Sequence, residues 1–455
     1  MSRFETGKGS TFRFVCGIAL VVVAALAVAY WLFVASLKAT LEQRLAQLRA
    51  KGIPTAWAQV IPPPVPDHDN AAILYQQAFD QRPAWRTDGT DTLRKFLKDD
   101  PPGTRRKLAA GMQEILARNQ AALDLVRAAA DKPRCRFPVW NDAANPCEIL
   151  YRHFASMRQC AQLLGAEALI RSARGDTAGA LASCRTSLRM ADHADVEPTL
   201  IAFLVSSAIS SITFSALKQV IEEGELDPRT CRDLSQQLGD SDAKGRFRKA
   251  LQGEFASRLW LFEEADRNPE EFVAIVGPDE PLAAASVRLC AGPLGRPLRL
   301  LDEIAYLGLS REALSLAEKP YRESEPGYRE LDKKLEDLPS YCLITQMVFG
   351  IYARAAVARD RALATRDAMR VALALEAYHG KYHRYPDALD ALRAYPGWEL
   401  PEDPFSGKDF GYKRQGEGFV LYSWGEDLDD DGGQPVPPRY GGYPPDGDTV
   451  WTFAR

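Results

Sequence analysis

The sequence predicts a mainly α-helical protein with a small C-terminal α+β module and a single-span N-terminal membrane anchor. Three observations carry that reading. Residues 14–35, "FVCGIALVVVAALAVAYWLFVA", contain no charged side chain, and about 20 such residues span the hydrocarbon core of a bilayer as one helix. From residue 67 to about residue 380, apolar side chains recur with a helical period, the pattern of half-buried helices. After Gly380 the composition shifts to Pro, Gly, Tyr and Asp around strand-like runs such as "GFVLY", which reads as a hairpin-bearing module.

At 455 residues the chain exceeds one ordinary core, so several folding units are expected. The expected division is a cytoplasmic N-terminus at 1–13, the anchor at 14–36, a juxtamembrane helix and proline-rich linker at 37–66, an α-helical domain at 67–340, and a long helix plus α+β domain at 341–455. Arg3, Lys8 and Arg13 precede the apolar run against a single acid, Glu5. That bias keeps the short N-terminus cytoplasmic and exports the body. A cleaved signal peptide competes for the same run, but the run is longer than the ~7–15 residues of a signal core, and Trp31 stands where cleavage needs small side chains. A net charge of −4, from 57 basic and 61 acidic side chains, leaves no concentrated basic surface. Nucleic acid is therefore excluded as a partner.

The elements follow in order. "KATLEQRLAQLRAKG" extends the anchor as a helix with Leu41, Leu45 and Leu48 on one face, ending at Gly52. "IPPPVPDHD" is extended, because proline fixes φ and lacks a donor. Asp69 or Asn70 then caps the helix "AAILYQQAFD". Helices follow over "RRKLAAGMQEILARNQAALDLVRAAA", "EILYRHFASMRQCAQLLGAEALIRSA" and "RGDTAGALASCRTSLRMADHA", the last two as a hairpin. "TLIAFLVSSAISSITFSALKQVI" is apolar nearly all round, but its Ser and Thr, with Glu197 and Pro198 ahead of it, favour a buried central helix over a second span. Further helices are expected at 241–267, 298–318 and 327–337, and one continuous helix from "YCLITQMVFG" through "VALALEAYH". A short helix at 387–394 and a hairpin turned at Gly416 to Gly418 complete the chain. Export would give the cysteines an oxidising compartment, where Cys135 and Cys147 are the best-spaced disulfide candidates.

The chemistry concentrates in "SWGEDLDDDGG". Glu426, Asp427, Asp429, Asp430 and Asp431 occupy five of six consecutive positions directly after "GFVLY". Asp427, Asp429 and Asp431 with Gly432 satisfy D-x-D-x-D-G, the opening half of an EF-hand loop. The twelfth position is Pro438 where that loop needs a bidentate Glu, so an EF-hand is rejected. Crowded carboxylates repel by about 1 kcal/mol per pair ~4 Å apart in water, and several times more where the dielectric is lower. A hard divalent cation, calcium, is the expected remedy.

Residues 345–453 resemble the calcium-binding C-terminal domain of the major pseudopilin of type II secretion. The likeness runs through "ALEAYHGKYHRYP", "LDAL", "LPEDPFSGKDFGYK", the hairpin, "LYSWGEDLDDDGG" and "DTVW". It implies a calcium site formed by Asp427, by Asp446 and Asp448 ahead of Trp451, and by main-chain carbonyls near Tyr422 to Trp424. The chain departs from the family: the span has no Gly-Phe processing site and no glutamate near its start, the loop carries extra acids, and "QPVPPRYGGYPP" is inserted. The rest of the chain resembles membrane-anchored helical proteins of uncharacterised function with the same C-terminal ending.

Catalytic patterns are weak. His379 and His383 have H-x3-H spacing, but no Glu follows the first and Gly380 is expected to break the helix between them. His153 and His193 fall on separate helices, Glu263 and Glu264 point apart as helix neighbours, and "HDNAA" at 68–72 is explained by capping. No G-x-S-x-G, Walker or dinucleotide motif is present. The expected role is that of an extracytoplasmic structural or interaction protein held at the envelope and engaging a protein partner there. The alternatives are an exported hydrolase with its active site in the helical domain, and assembly with secretion pilins.

Overall fold

The structure, a computed structural model, describes residues 7–81, 85–98, 102–141, 143–240, 242–276, 287–288, 290–350, 352–395, 397–437 and 445–454. It is 70% helical, with a small three-stranded antiparallel sheet near the C-terminus and an N-terminal apolar helix. Its contacts divide it into two units, neither continuous in sequence. The first gathers the described residues within Met1–Ala56, Phe255–Glu312 and Leu331–Gly350, and the second those within Trp57–Glu254, Ala313–Glu330 and Ile351–Arg455.

In the first unit, the helix Gly7–Ala50 runs without a break through the apolar stretch and the juxtamembrane sequence. Its apolar half is exposed along its length, as a candidate anchor requires, whereas Leu41, Leu45 and Leu48 beyond it are buried. Gly52, at φ 72°, ends the turn that follows. Arg44 Nη1 donates to Ile304 O at 2.9 Å, fixing the juxtamembrane turn on the helix Arg296–Leu316. Asp302 is 2% exposed and accepts from Ile344 N at 2.9 Å, Thr345 N at 3.2 Å and Thr345 Oγ1 at 2.5 Å. This carboxylate caps the short helix Leu343–Val348 from outside its own segment. Beside it, burial, followed by the nearby charges of Asp266, Glu263, Glu42 and Asp302, pushes Glu303 from 4.5 up to about 8.

Glu303 thus holds its proton more tightly folded than unfolded. Its contribution to stability is present below pH ~4.5 and is lost as pH rises towards about 8. Glu303→Gln should remove this loss. The variant is expected to gain on the order of 2–3 kcal/mol over the parent between pH 5 and pH 9 in urea unfolding. A difference between the two proteins that does not change with pH would refute the assignment.

The second unit holds the remaining helices and the sheet. Asn70 caps Ala71–Asp80, its Oδ1 accepting from Ala72 N at 3.2 Å. The proline-rich stretch before it is not bare spacer, because Trp57 is buried and its Nε1 donates to Ala143 O at 2.6 Å. Arg152–Ser172 and Thr177–Ala194 form the expected hairpin. Its turn passes through Gly175 at φ 79° and restarts at Asp176, which accepts from Gly179 N at 2.9 Å. Leu200–Glu223 is long and apolar enough to cross a membrane, yet it packs on both hairpin helices and on the long helix Tyr352–Tyr382. Half of its apolar window is buried in this way, which is how a core helix behaves.

Three expectations are corrected. The continuous helix from residue 341 is two: Leu343–Val348 stops before Phe349, and Tyr352–Tyr382 starts afresh. Gly380 lies inside that second helix, which ends instead at His383 in the left-handed conformation, φ 56°, with its N–H on His379 O at 2.7 Å. His379 and His383 therefore do not share a helical face as ligands, and His379 stacks on Tyr385 at 4.6 Å. Cys135 and Cys147 are not joined by a disulfide. The first is buried and the second sits exposed in the turn Pro146–Glu148. The "GPDEP" turn and residues 438–444 of the loop insertion lie outside the described residues.

The sheet has the order β1-β2-β3, with β1 Gly411–Gln415, β2 Gly418–Ser423 and β3 Thr449–Phe453. Gln415 pairs with Gly418, so the hairpin turns on Gly416 and Glu417, with Gly416 at φ 58° supplying the first turn position. Central β2 packs on the long helix, with Phe419 and Leu421 fully buried. Ser423 pairs with Thr449, and that pair closes the base of the loop that carries the acids.

Candidate metal centre

Because β2 and β3 are antiparallel neighbours, the chain leaving Ser423 must return to Thr449 alongside it. Residues at the two ends of the loop are thereby brought together although some 20 positions separate them. Gly447 is the hinge of the return. Its φ is 129°, and a Cβ there would stand 2.8 Å from Val436 N, so no other residue fits without moving backbone. Its N–H donates to Asp427 Oδ2 at 2.6 Å, which ties the outgoing limb to the returning one.

Asp427, Asp429, Asp431 and Asp446 each offer a carboxylate oxygen, and these oxygens lie within 4.8 Å of one another. The group can hold a metal ion. Leu428, between the first two, has φ 68°, a left-handed conformation that costs a branched residue on the order of 1 kcal/mol. It lies in the turn that carries the chain from Asp427 to Asp429. Asp427 Oδ1 and Asp431 Oδ2 are buried oxygens with no hydrogen-bond partner, a state that is unfavourable unless something positive meets them. Burial, then repulsion by Asp429 and Asp431, raises the Asp427 pKa. Asp431 is raised by desolvation, then by Asp429, Asp446 and Asp430.

The remaining acids make contacts of their own, and Asp448 Oδ1 is, like Asp427 Oδ1 and Asp431 Oδ2, a buried oxygen with no hydrogen-bond partner. Asp448 is 1% exposed and is not among the four gathered carboxylates. Its Oδ2 accepts from Gly433 N at 2.5 Å and its own N–H donates to Gln434 O at 2.8 Å, so it pins the middle of the loop to β3. Burial, then Asp430 and Asp431, raises its pKa to about 6. Glu426 is buried and forms an ion pair with Arg361 of the long helix. Asp430 closes a local turn by accepting from Gly432 N at 2.9 Å. The run of acids thus divides into ligand candidates, an ion-pair partner and a turn former.

Asp403, in "LPEDPFSGK", shapes the loop without belonging to the group of four. It is 1% exposed. Its Oδ1 accepts from Phe405 N at 3.2 Å and Ser423 Oγ at 2.6 Å. Its Oδ2 accepts from Ser406 N at 3.0 Å and Trp424 N at 3.4 Å. One carboxylate thereby organises its own turn and the start of the acidic loop. Nothing local to "LPEDPFSGK" indicates that the same oxygens also hold Ser423 and Trp424.

The helical body of the second unit holds a separate pocket, partly open to solvent, lined in part by Asp192, Asp195, Ser206, Ser207 and Arg246. Asp195 lies 2.7 Å from Arg246 Nε, and Ser207 Oγ donates to Phe203 O on its own helix at 2.9 Å. Among the described residues no His or Cys lines the pocket. The buried histidines are committed elsewhere in this unit: His153 lies 2.9 Å from Glu197, and His193 bridges Tyr75 Oη and Lys132 O, each at 3.0 Å.

Comparison of the chain with family models, curated proteins and solved structures finds no match.

Proposed function

We propose that this is a membrane-anchored extracytoplasmic protein whose C-terminal module is locked by calcium, and that it serves a structural or interaction role at the cell envelope. The observation that carries the metal reading is the group of four carboxylate oxygens within 4.8 Å of one another. Two ligands on opposite sides of calcium stand up to about 5 Å apart, and of magnesium about 4.2 Å, since the respective metal–oxygen distances are ~2.3–2.6 and ~2.0–2.1 Å. An all-oxygen set of that width, partly open to water, fits calcium better than magnesium and offers zinc no nitrogen or sulfur. Binding relieves carboxylate repulsion and joins the two limbs of the loop, so the ion acts as a clasp on the sheet.

Location rests on the uncharged run within the helix Gly7–Ala50 and the basic residues ahead of it. The resemblance to the pseudopilin domain supports a link to secretion or envelope assembly through a protein partner. Two experiments test these readings. Calorimetric titration of the chelator-treated full chain should give one calcium site, with magnesium binding at least tenfold weaker; no heat with calcium would remove the metal reading. A membrane-impermeant maleimide applied to intact cells should label Cys147, which is exposed. Labelling only after lysis would reverse the topology.

A further inference from the structure

We propose that the first unit binds the phosphodiester headgroup of an anionic phospholipid in a groove beside the N-terminal helix, with Lys38 and Arg296 as the contacts. This rests on the anchor reading of that helix and goes beyond it, since an anchor alone has no headgroup preference.

The groove is open to solvent and is lined by Tyr30, Trp31, Lys38, Asp266, Arg296 and Arg299, among others. Lys38 is the first charged residue after the uncharged run. Along a helix it stands about 10 Å beyond Trp31, so the pair brackets the level of the headgroups, where Trp and Tyr concentrate. Tyr30 is 40% and Trp31 67% exposed. Chain folding brings two arginines from a remote segment to this same level.

The two arginines differ in what they are free to do. Arg299 is buried, and its guanidinium donates to Asp266 Oδ1 from Nε at 3.1 Å, to Gly292 O at 3.0 Å and to Cys290 O. It is engaged in holding the turn ahead of its own helix. Arg296 reaches Asp266 only at 3.4 Å, with its side chain 40% exposed. Within the groove Lys38, Arg296 and Arg299 stand against the single carboxylate of Asp266, an excess of two positive charges. The adjoining recess adds Glu42, Glu263 and Glu303 but also Arg49 and Arg267, and Glu303, with a pKa of about 8, is largely neutral there.

A second feature points to the bilayer. Leu294 is 80% exposed, in the turn Pro293–Gly295 directly ahead of Arg296. A bare leucine two residues ahead of a basic residue of the groove has the form of an interfacial insertion, and basic pockets beside spanning helices select anionic headgroups.

The test reconstitutes the full chain into vesicles of equal phosphatidylcholine and phosphatidylglycerol, re-extracts it in mild detergent and quantifies the lipid that stays bound. The parent is expected to retain about thirtyfold more phosphatidylglycerol, from ~1 kcal/mol for each of the two basic residues. Lys38→Gln and Arg296→Gln should each cut the ratio to about fivefold and together bring it near one, with unchanged melting as the check on folding. Equal retention by the parent, or a ratio that survives both substitutions, overturns the proposal. Flotation with pure phosphatidylcholine vesicles separates the two readings: a chain that does not float has lost the anchor itself, whereas one that floats without headgroup preference loses only this site.

Discussion

Replacing Asp427 with Asn is expected to abolish stabilisation by calcium while making the calcium-free protein no less stable than the parent. In the parent, calcium at about 100 times its Kd should add about 2.7 kcal/mol. For a unit as large as the second that raises the midpoint of the transition containing the sheet by about 4 °C. Asn keeps an oxygen for Gly447 N–H, the bond Asp427 makes at 2.6 Å. It removes the charge whose pKa is raised by burial and by Asp429 and Asp431. The order of stability should therefore invert: variant at or above parent in chelator, parent above variant in calcium. Equal calcium shifts in the two proteins by scanning calorimetry would rule out the four-aspartate centre.

Asp403→Ala should be the most damaging single change in the C-terminal module. The carboxylate is buried and accepts from Phe405 N, Ser406 N, Ser423 Oγ and Trp424 N. Alanine leaves several of these donors unsatisfied, at about 1–3 kcal/mol each where water cannot enter. A net loss of roughly 3–4 kcal/mol is expected in urea unfolding, with calcium binding weakened because Trp424 opens the loop. Asp403→Asn, which keeps one acceptor, should lose about half as much. A loss below 1 kcal/mol for the alanine variant would show that the loop does not depend on this side chain.

The legible parts of this protein were those written in local pattern. The apolar run, the amphipathic helices, the Asn70 cap, the hairpin at Gly416 and the acidic turn could all be read because each depends on neighbours within a few positions. The misread parts depended on distant ones. Gly380 looked like a helix breaker, but in a helix interior it costs only about 1 kcal/mol against Ala, and packing of Tyr352–Tyr382 on Leu200–Glu223 and Pro228–Gly239 carries the helix through it. Cys135 and Cys147 looked paired by spacing, yet one turned into the core and the other stayed at the surface. Acids of the loop were separated by partners that local pattern does not reveal, Arg361 for Glu426 in the "EDLDDD" run and Gly433 for Asp448 beyond it.

The sequence by itself determined that there is an uncharged segment long enough to span a bilayer, a helical body, and a loop dense in carboxylates between two strand-like runs. Tertiary structure decided which of those carboxylates meet. Asp427 and Asp446 approach because β2 and β3 pair with Ser423 opposite Thr449, and Arg296 reaches the level of Trp31 because of how its unit folds. The reason is physical: side-chain periodicity fixes direction within one element, whereas distances between elements follow from strand register and core packing.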